Sequence, residues 1–575
     1  MSVTLQWVQL QLVLVVEYIS HQLKQIFLRF WPFLERPIVK VRQGSVKGVT
    51  AKLPNGERYH YFKSIPYSKP PVGELRFRPP VPLERFEQPI LNCSYERPDF
   101  IHLQAPMDVL INGTESSLHL SVYTPRLPSE GVLRCPVVVM LPSGGFRACT
   151  NSAFSFNPVR IVQQGVVVVT VGYRVGPLGF LCLPDVGISG NAGLKDQRLA
   201  LKWVHENISQ FGGDEKNVTL MGLSAGAWSA YLHYLAPNSR KYFHRVILKS
   251  GDACTESVFQ LDPEEKARKL AKLLGCRGST DREVLETLMK APARLLTKLQ
   301  MKICSSRETS CPMRYTFRPV IEREPTADSI ICQPPEQILK SYDTLRMPIM
   351  SNLCNDEGML GIMISRNRLD KYNQEEWLVP QFLGHSENMD RQSVGKEVKQ
   401  FYFGDRKVGQ NCRTALCDFM TDCTFAVTTN LSAEWIARYQ PRVEHYHSCF
   451  SYEGRFNYVK AIMGVEMRGA GHGDDTYYLF SAPFVKKLPK DSDEYKISEI
   501  VVKTVTNFAK YGNPTPDESL LGFRWRPVAP ILHGSPDTFD LDCLEVNLHP
   551  RMIRNPNQKR KEFWRKLIRE NTGLL

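Results

Sequence analysis

The sequence predicts an α/β fold built as one large domain, and three observations indicate it. Residues 218–230, VTLMGLSAGAWSA, read as a buried strand, a sharp turn after Gly222 and a helix with small and apolar residues at helical spacing. Residues 135–148, CPVVVMLPSGGFRA, read as a second buried strand that ends in a glycine-rich loop. The 575 residues are 42% hydrophobic and 23% charged, as in globular proteins with a large core, and contain no linker, repeat or low-complexity run.

The segment Gly222-Leu223-Ser224-Ala225-Gly226 matches the turn that lifts a nucleophilic serine above the end of a sheet. A Cβ at either glycine would collide with the neighbouring strand or helix. The pattern alone arises by chance in a chain of this length with a probability of roughly 0.2. The strand before it and the helix after it favour a nucleophile over a serine in an ordinary turn.

Two segments downstream contain the partners that such a serine requires, which are a base and an acid that orients the base. Residues 346–360, RMPIMSNLCNDEGML, form an apolar run followed by a polar turn with Asp356 and Glu357. Residues 467–480, MRGAGHGDDTYYLF, form a glycine-rich loop that contains His472. Each segment alone has an ordinary interpretation, because a Glu in a turn is usually solvated and most of the 13 histidines lie at the surface or in the core. Their order after the serine, acid and then histidine, favours a catalytic triad.

The loop Ser143-Gly144-Gly145-Phe146 follows a buried strand, and its backbone N–H groups are candidates for binding a substrate oxygen. A plain Gly-Gly turn is the alternative.

The distribution of charge and the spacing of cysteines argue against a nucleic-acid-binding or a metal-binding protein. The formal net charge is +14, but the basic residues are scattered, with a single cluster in KRKEFWRKLIRE near the C-terminus, so we expect no nucleic-acid partner. The 15 cysteines include no Cys-x-x-Cys pair and no Cys/His spacing typical of zinc, so we expect neither a metal nor another cofactor.

Longer motifs resemble the type-B carboxylesterases of the cholinesterase/carboxylesterase family, above all the insect alpha-esterases. They are FKSIPYSKPPVGELRFRPP (62–80), ESSLHLSVYTP (115–125), GYRVGPLGFL (172–181), GNAGLKDQRLALKWVHENISQFGGDEKNVTLMGLSAG (190–226) and TNFAKYGNPTP (506–516). The resemblance runs almost from end to end. It implies an α/β-hydrolase fold, with a mostly parallel central sheet wrapped by helices and a gorge-like active site above the strand ends.

The resemblance also implies a role for individual residues. Ser224 matches the family nucleophile, Glu357 the triad acid and His472 the base. The N–H groups of Gly144, Gly145 and Ala225 match the three oxyanion donors. The expected reaction is hydrolysis of a small carboxylic ester through an acyl-enzyme, while the oligomeric state is left open.

The sequence departs from the family near this site. The usual His-Gly-Gly loop reads Pro142-Ser143-Gly144, and Leu223 replaces the glutamate that usually precedes the nucleophile. If the Cβ of Ser143 displaces the oxyanion donors, turnover is expected to be modest. The alternative is a catalytically weak or inactive relative that binds a ligand or a protein partner.

A third departure from the family pattern bears on the cellular compartment of the protein. The family's usual cysteine is replaced by Ser117, which leaves Cys93 without its common disulfide partner. Together with a poor signal peptide at the N-terminus, this predicts a cytoplasmic protein.

We divide the chain into an N-terminal helical segment (1–36), the catalytic domain (37–558) and a basic helical tail (559–575). Apolar residues recur at steps of three or four in the first segment, and Pro32 stops the pattern; they are Leu12, Val15, Val16, Ile19, Leu23, Ile26, Phe27 and Phe30. This stripe either packs on the enzyme's own surface or lies in the interface of an intracellular membrane. In the second case, anionic lipid would be attracted by Lys24, Arg29, Lys559, Arg560, Lys561, Arg565 and Lys566.

Overall fold

The structure is a computed structural model. It describes residues 3–31, 35–104, 109–111, 113–131, 134–254, 258–304, 316–341, 345–383, 389–485, 488–518, 521–531 and 538–575. Statements below about what is absent refer to these residues.

The strands form one large sheet and two small ones. In chain order they are β1 (Ile38–Val41), β2 (Gly44–Lys47), β3 (Val49–Lys52), β4 (Arg58–Pro66), β5 (Ile90–Asn92), β6 (His102–Gln104), β7 (Val109–Ile111), β8 (His119–Thr124), β9 (Cys135–Leu141), β10 (Val167–Val171), β11 (Gly213–Leu223), β12 (Arg245–Lys249), β13 (Ile349–Cys354), β14 (His445–Phe450), β15 (Asp542–Val546) and β16 (Arg551–Arg554). The large sheet has the order β16-β15-β14-β13-β12-β11-β9-β10-β8-β4-β3, and the small sheets are β1-β2-β5 and β6-β7.

The large sheet is mostly parallel, as predicted. All neighbouring strands from β10 through β9, β11, β12, β13 and β14 to β15 pair in parallel. The antiparallel pairs lie toward the two edges, where β3, β4 and β8 precede β10 and β16 closes the other side.

Central strands are apolar on both sides because both faces of the sheet are covered. In β9, Val137 and Val139 belong to one hydrophobic cluster, whereas Val138 and Met140 belong to the other. Every residue of β10, with the sequence VVVTV, is buried. The alternation assigns the core to two layers, one on each face of the sheet.

Helices cover both layers. In chain order they are α1 (Val3–Phe30), α2 (Ala153–Phe156), α3 (Val159–Val162), α4 (Gly176–Phe180), α5 (Ala192–Asn207), α6 (Ala225–Leu235), α7 (Pro237–Arg240), α8 (Pro263–Leu273), α9 (Asp281–Lys290), α10 (Ala293–Leu299), α11 (Pro335–Lys340), α12 (Met359–Ser365), α13 (Arg391–Phe403), α14 (Arg413–Thr421), α15 (Val427–Tyr439), α16 (Tyr458–Ile462), α17 (Thr476–Leu479), α18 (Asp493–Tyr511) and α19 (Gln558–Asn571). Helix α5 packs in the first layer through Leu194 and Trp203, and α18 packs in the second through Ile497 and Val505.

The N-terminal helix α1 is present, but its apolar stripe does not pack on the domain. The eight stripe residues are 47–71% exposed. The opposite face packs instead, with His21, Gln25 and Leu28 buried. The interpretation that the stripe covers the enzyme's own surface is therefore wrong, because hydrogen bonds of His21 and Gln25 and packing of Leu28 hold the opposite face on the domain. Pro32 lies outside the described residues. No helix among the described residues has the length and apolarity needed to cross a bilayer.

The C-terminal helix α19 is part of the main core. Trp564, Leu567 and Ile568 are buried in the first layer. Its basic side chains face acidic partners: Arg560 pairs with Asp418 and Asp422, Arg565 with Glu434, and Lys566 with Glu397. Lys561 is buried and donates to the Phe539 carbonyl at 2.5 Å. Arg560, Lys561 and Arg565 are engaged within the fold, which corrects the expectation that these three residues attract lipid, whereas Lys566 forms its ion pair at the surface.

Candidate active site

Ser224 stands in the sharp turn between β11 and α6. Its backbone has φ 55° and ψ −122°, a strained conformation for a residue with a side chain. The turn is tight because a Cβ at Gly222 would lie 2.0 Å from the Gly226 carbonyl oxygen, and a Cβ at Gly226 would lie 2.1 Å from the Leu141 carbonyl oxygen. The two glycines therefore allow the close approach of strand and helix that the sequence predicted.

His472 and Glu357 form a hydrogen-bonded pair. His472 Nδ1 lies 2.5 Å from Glu357 Oε2, and Glu357 is fully buried in the turn that follows β13. The other oxygen, Oε1, accepts hydrogen bonds from the Ser250 hydroxyl at 2.5 Å and from the Cys354 backbone N–H at 2.8 Å. Because the carboxylate holds Nδ1, the Nε2 atom of His472 is left to exchange a proton with a nucleophile.

Ser224 and His472 line the same cavity, which has a volume of about 230 Å³. Within the described part of the chain no hydrogen bond joins the Ser224 hydroxyl to His472. In unliganded sites this contact is often long and tightens when substrate binds. Much of the remaining wall is apolar and includes Phe156, Leu223, Leu360, Ile364, Val459, Ile462, Met463 and Tyr477.

The predicted oxyanion donors lie beside Ser224. Gly144 and Gly145 line the cavity with φ values of 138° and 62°, and Ala225 is the first residue of α6. Among the described residues, no protein hydrogen bond uses the N–H groups of these three residues. They are therefore available to a substrate oxygen, and the N-terminal end of α6 favours negative charge there.

Two residues that differ from the family pattern, Ser143 in the oxyanion loop and Leu223 before the nucleophile, lie in the cavity wall. Ser143 is absent from the described residues with positive φ, so its Cβ adds no strain of the kind expected for a residue in a glycine conformation. Ser143 and Leu223 both line the cavity, and Leu223 is buried. The distortion that the sequence predicted at Ser143 therefore has no basis in its backbone conformation.

His472 is also held by packing. Its ring stacks on Phe425, with ring centroids 4.7 Å apart and planes 18° apart. Phe425 lies in a π-helical turn, Asp422–Ala426, between α14 and α15. Such turns are frequent at functional sites, and here the turn supplies the surface that fixes the imidazole.

Two acidic residues after His472 fix its loop. Asp474 accepts hydrogen bonds from the N–H groups of Gly471 at 2.8 Å and Lys460 at 2.9 Å, and burial raises the pKa of Asp474 to about 7. Asp475 forms a buried ion pair with Lys249, the last residue of β12. The Lys249 carbonyl in turn accepts a hydrogen bond from the Ser224 N–H at 2.8 Å, so one residue contacts both the histidine loop and the serine turn.

Cys149 also lines the cavity but has the wrong protonation state for a nucleophile. Burial raises the pKa of the Cys149 thiol well above its usual range, so the thiol stays protonated at neutral pH.

Sequence reasoning thus named Ser224, Glu357, His472, Gly144, Gly145 and Ala225, and the structure brings them together. It missed Ser250, Lys249 and Phe425, which contact these residues from distant parts of the chain. Lys249 ends the apolar strand segment VILK and Ser250 follows it, but no local pattern marks either residue as a partner of the site.

Comparison with known proteins agrees with this architecture. The model of the Carboxylesterase family matches residues 35–564. A juvenile hormone esterase of Tribolium castaneum is 32% identical over 533 residues, which cover 86% of this chain and 88% of that protein. Esterase FE4 of Myzus persicae is 29% identical over 510 residues, which cover 86% of this chain and 87% of that protein.

A crystal structure shares the fold. Juvenile hormone esterase from Manduca sexta, with OTFP covalently attached, matches with a TM-score of 0.81 at 24% sequence identity, over 93% of this chain and 100% of that chain. This confirms the predicted α/β-hydrolase fold. With the family match across most of its length, the chain belongs to the carboxylesterase family.

Proposed function

We propose that this carboxylic-ester hydrolase acts through Ser224, His472 and Glu357 and passes through an acyl-enzyme intermediate. The observation that carries the proposal is the Glu357–His472 hydrogen bond of 2.5 Å at the cavity that Ser224 also lines. The free N–H groups of Gly144 and Gly145 support it, because the reaction needs oxyanion donors beside the nucleophile.

The reaction has two halves. His472 Nε2 takes the proton of Ser224 as Oγ forms a bond to the ester carbonyl carbon, and the oxyanion is bound by the backbone donors. Glu357 stabilises the imidazolium. The C–O bond to the alcohol then breaks, and the alcohol leaves with the proton that His472 returns. Water repeats the sequence on the acyl-enzyme, which releases the carboxylic acid and regenerates Ser224.

The cavity supports an apolar ester as substrate. Aliphatic and aromatic side chains from α2, α12, α16 and α17 form much of its wall. Leu223 adds an apolar group directly beside Ser224, where the resemblance predicts a glutamate. Burial of alkyl or aryl groups against this wall would provide much of the binding free energy.

A fluorophosphonate probe tests the mechanism, because it reacts only where nucleophile, base and oxyanion donors act together. We expect intact mass to show one adduct on the native enzyme and none on Ser224→Ala. Ser155→Ala, which changes another serine of the cavity wall, is the matched control and should still be labelled. No adduct on the native enzyme would contradict the proposal and favour the inactive, ligand-binding alternative.

Turnover is a separate part of the proposal. The backbone conformation of Ser143 supports oxyanion donors that its Cβ does not displace. We therefore propose that Ser143 does not reduce the turnover of the enzyme. Steady-state hydrolysis of short-chain nitrophenyl esters measures it, with His472→Ala expected to lose most of the rate.

Peripheral contact with an intracellular membrane, from the cytoplasm, stays a prediction of the sequence. Fractionation of cells that express the full chain and a form lacking residues 1–32 tests it. We expect the full chain in the membrane fraction and the shortened form in the cytosol.

A further inference from the structure

We propose that a row of stacked rings couples the catalytic base to the oxyanion loop and that Trp228, in the middle of the row, is a positioning residue for both. This ring stack consists of His472, Phe425, Trp228 and Phe146. The inference rests on the proposed function for the chemistry and adds a residue that acts on the reaction from outside the cavity wall.

The ring stack extends in three steps from the base to the loop. The ring centroids of His472 and Phe425 are 4.7 Å apart, with planes 18° apart. Phe425 and Trp228 follow at 6.2 Å and 21°, and Trp228 and Phe146 at 6.0 Å and 26°. Aromatic pairs favour offset stacking at centroid separations of about 4.5–7 Å. Each ring therefore presents a face to the next, and displacement of one ring displaces its neighbour.

Three of the four rings are buried and do not face the substrate. Phe146, Trp228 and Phe425 are 0%, 6% and 1% exposed. The described residues that line the cavity include His472 but none of these three. Because buried side chains are close-packed, they transmit a displacement to their neighbours. Phe146, Trp228 and Phe425 can therefore act on the reaction only through the groups that they contact.

At the loop end of the ring stack, Phe146 has a strained backbone conformation. It directly follows Gly145, a predicted oxyanion donor, and has a φ of 57°. A bulky residue at positive φ costs free energy and persists only where its surroundings hold it. The Phe146 ring packs between the face of Trp228 and Phe180, which it meets edge to face at 5.0 Å. Packing against Trp228 thus helps to hold the loop that presents the N–H groups of Gly144 and Gly145.

In the middle of the ring stack, Trp228 is also fixed to the nucleophile. It lies four residues after Ser224 in α6, and its backbone N–H donates a hydrogen bond of 3.0 Å to the Ser224 carbonyl. Its ring meanwhile contacts Phe425 on the side of the base and Phe146 on the side of the loop. One residue therefore connects the serine turn, the base and the oxyanion donors.

The relative position of these three parts matters most in the transition state. As Ser224 Oγ attacks, negative charge develops on the substrate oxygen and positive charge on His472. A displacement of about 1 Å between reacting groups can cost about 100-fold in rate. Loss of the Trp228 ring should therefore lower kcat and leave KM nearly unchanged, because the cavity wall that binds the ground state does not include Trp228.

The first experiment measures steady-state hydrolysis of a short-chain nitrophenyl ester by Trp228→Leu, which keeps an apolar side chain but has no aromatic face. We expect kcat to fall by about 10- to 100-fold and KM to change by less than about threefold. Trp228→Phe restores a ring and should keep kcat within about threefold of the native value. Native kcat in Trp228→Leu would overturn the inference, as would an equal loss in the Leu and Phe variants.

Trp203→Leu is the matched control. Trp203 is also buried, at 2% exposed, but lies in α5 and not among the described residues of the cavity wall. This variant should lose stability in urea unfolding and keep kcat. Equal losses of kcat in Trp203→Leu and Trp228→Leu would mean that poorer packing alone lowers turnover, against the inference. If Trp228→Leu does not fold, Trp228→Met fills more of the ring volume and should show the same loss of kcat.

The second experiment combines Trp228→Leu with Phe425→Leu. If the ring stack acts as one unit, either substitution interrupts it, and the double variant should have about the kcat of the slower single variant. If the two losses multiply instead, Trp228 and Phe425 act independently and the ring stack does not couple base and loop.

Failure of the inference can be told apart from failure of the proposed function. A native enzyme that takes up no fluorophosphonate would contradict the proposed function and, with it, the inference. A native enzyme that is labelled and hydrolyses the ester, with a Trp228→Leu variant that does so at the same kcat, would overturn the inference alone.

Discussion

The hydroxyl of Ser250 donates a hydrogen bond of 2.5 Å to Glu357, on the carboxylate oxygen that does not face His472. The two oxygens of one buried carboxylate thus have different partners, and Ser250 fixes the orientation of the group that orients the base. A hydrogen bond to a charged group contributes about 1.5–3 kcal/mol.

Ser250→Ala should therefore lower kcat by about 10- to 100-fold with little change in KM, since Ser250 acts through Glu357 and lines no part of the cavity wall described above. Steady-state kinetics and the rate of fluorophosphonate labelling measure the effect. Ser155→Ala, in the cavity wall but away from Glu357, serves as the control. A rise in KM alone would show that Ser250 does not position the triad.

The oxyanion loop offers a matched pair of substitutions at neighbouring positions. Gly144→Ala should lower kcat by about 100-fold or more, because the new Cβ would lie 2.1 Å from the Ala148 carbonyl oxygen at a φ of +138°. Ser143→Gly should change kcat by less than about threefold, since Ser143 needs no glycine conformation. A large gain in kcat for Ser143→Gly would show that its Cβ does displace the donors.

The buried ion pair between Lys249 and Asp475 predicts a large effect on stability. Lys249→Met should lower the free energy of unfolding by about 3–5 kcal/mol, because it leaves the Asp475 carboxylate buried without its cation. Combining it with Asp475→Asn should recover part of the loss. Urea unfolding of the single and double variants measures the coupling.

An exposed ion pair provides the comparison for this prediction. Lys496 and Asp493 are 2.9 Å apart and more than half exposed, so Lys496→Met should cost less than about 1 kcal/mol. If Lys249→Met and Lys496→Met lower the free energy of unfolding by the same amount, burial does not determine the contribution of the Lys249–Asp475 pair.

Sequence patterns identified those parts of the site that depend on local backbone geometry. Gly222 and Gly226 lie within two residues of Ser224; the close contact that requires Gly222 lies within the same motif, whereas the one that requires Gly226 is with the carbonyl of Leu141, at the end of the neighbouring strand β9. The order of serine, acid and histidine, with the family resemblance, then indicated Glu357 and His472.

Contacts between distant positions could not be predicted in this way. Ser250 meets Glu357 across 107 positions, and Lys249 meets Asp475 across 226 positions. The periodicity of α1 showed two faces, but which face packs depends on Glu96, which is 75 positions from His21. Because Glu96 holds the polar face of α1 against the domain, the apolar stripe on the opposite face is exposed.

Glu96 joins α1 to the active-site side of the domain. One carboxylate oxygen lies 2.9 Å from His21 Nε2 and accepts a hydrogen bond from the Ser152 hydroxyl at 2.5 Å. The other accepts from Lys63 Nζ at 2.9 Å and from the Ala153 N–H at 2.9 Å, at the start of α2. Substitution of Glu96 should therefore loosen both α1 and α2.

The pKa of Glu96 gives this prediction a pH dependence. Burial alone would raise the pKa, but Lys63 and His21 outweigh burial and hold the pKa of Glu96 well below its usual value of 4.5. The carboxylate therefore stabilises the fold fully above pH 4.5, and this contribution is lost as the pH falls below 4.5 toward the lower pKa of the folded state.

Glu96→Gln should lower the free energy of unfolding by about 3 kcal/mol at pH 7, and the difference from the native chain should shrink as the pH falls below 4.5. Urea unfolding between pH 3 and pH 8 measures the difference, and limited proteolysis at pH 7 should cut the α1 region of the variant faster. Glu87→Gln changes an exposed carboxylate on the same stretch of chain and should differ little from the native protein at any pH. If the free energies of unfolding of Glu96→Gln and the native chain differ by the same amount from pH 3 to pH 8, the charge of Glu96 does not hold α1 in place.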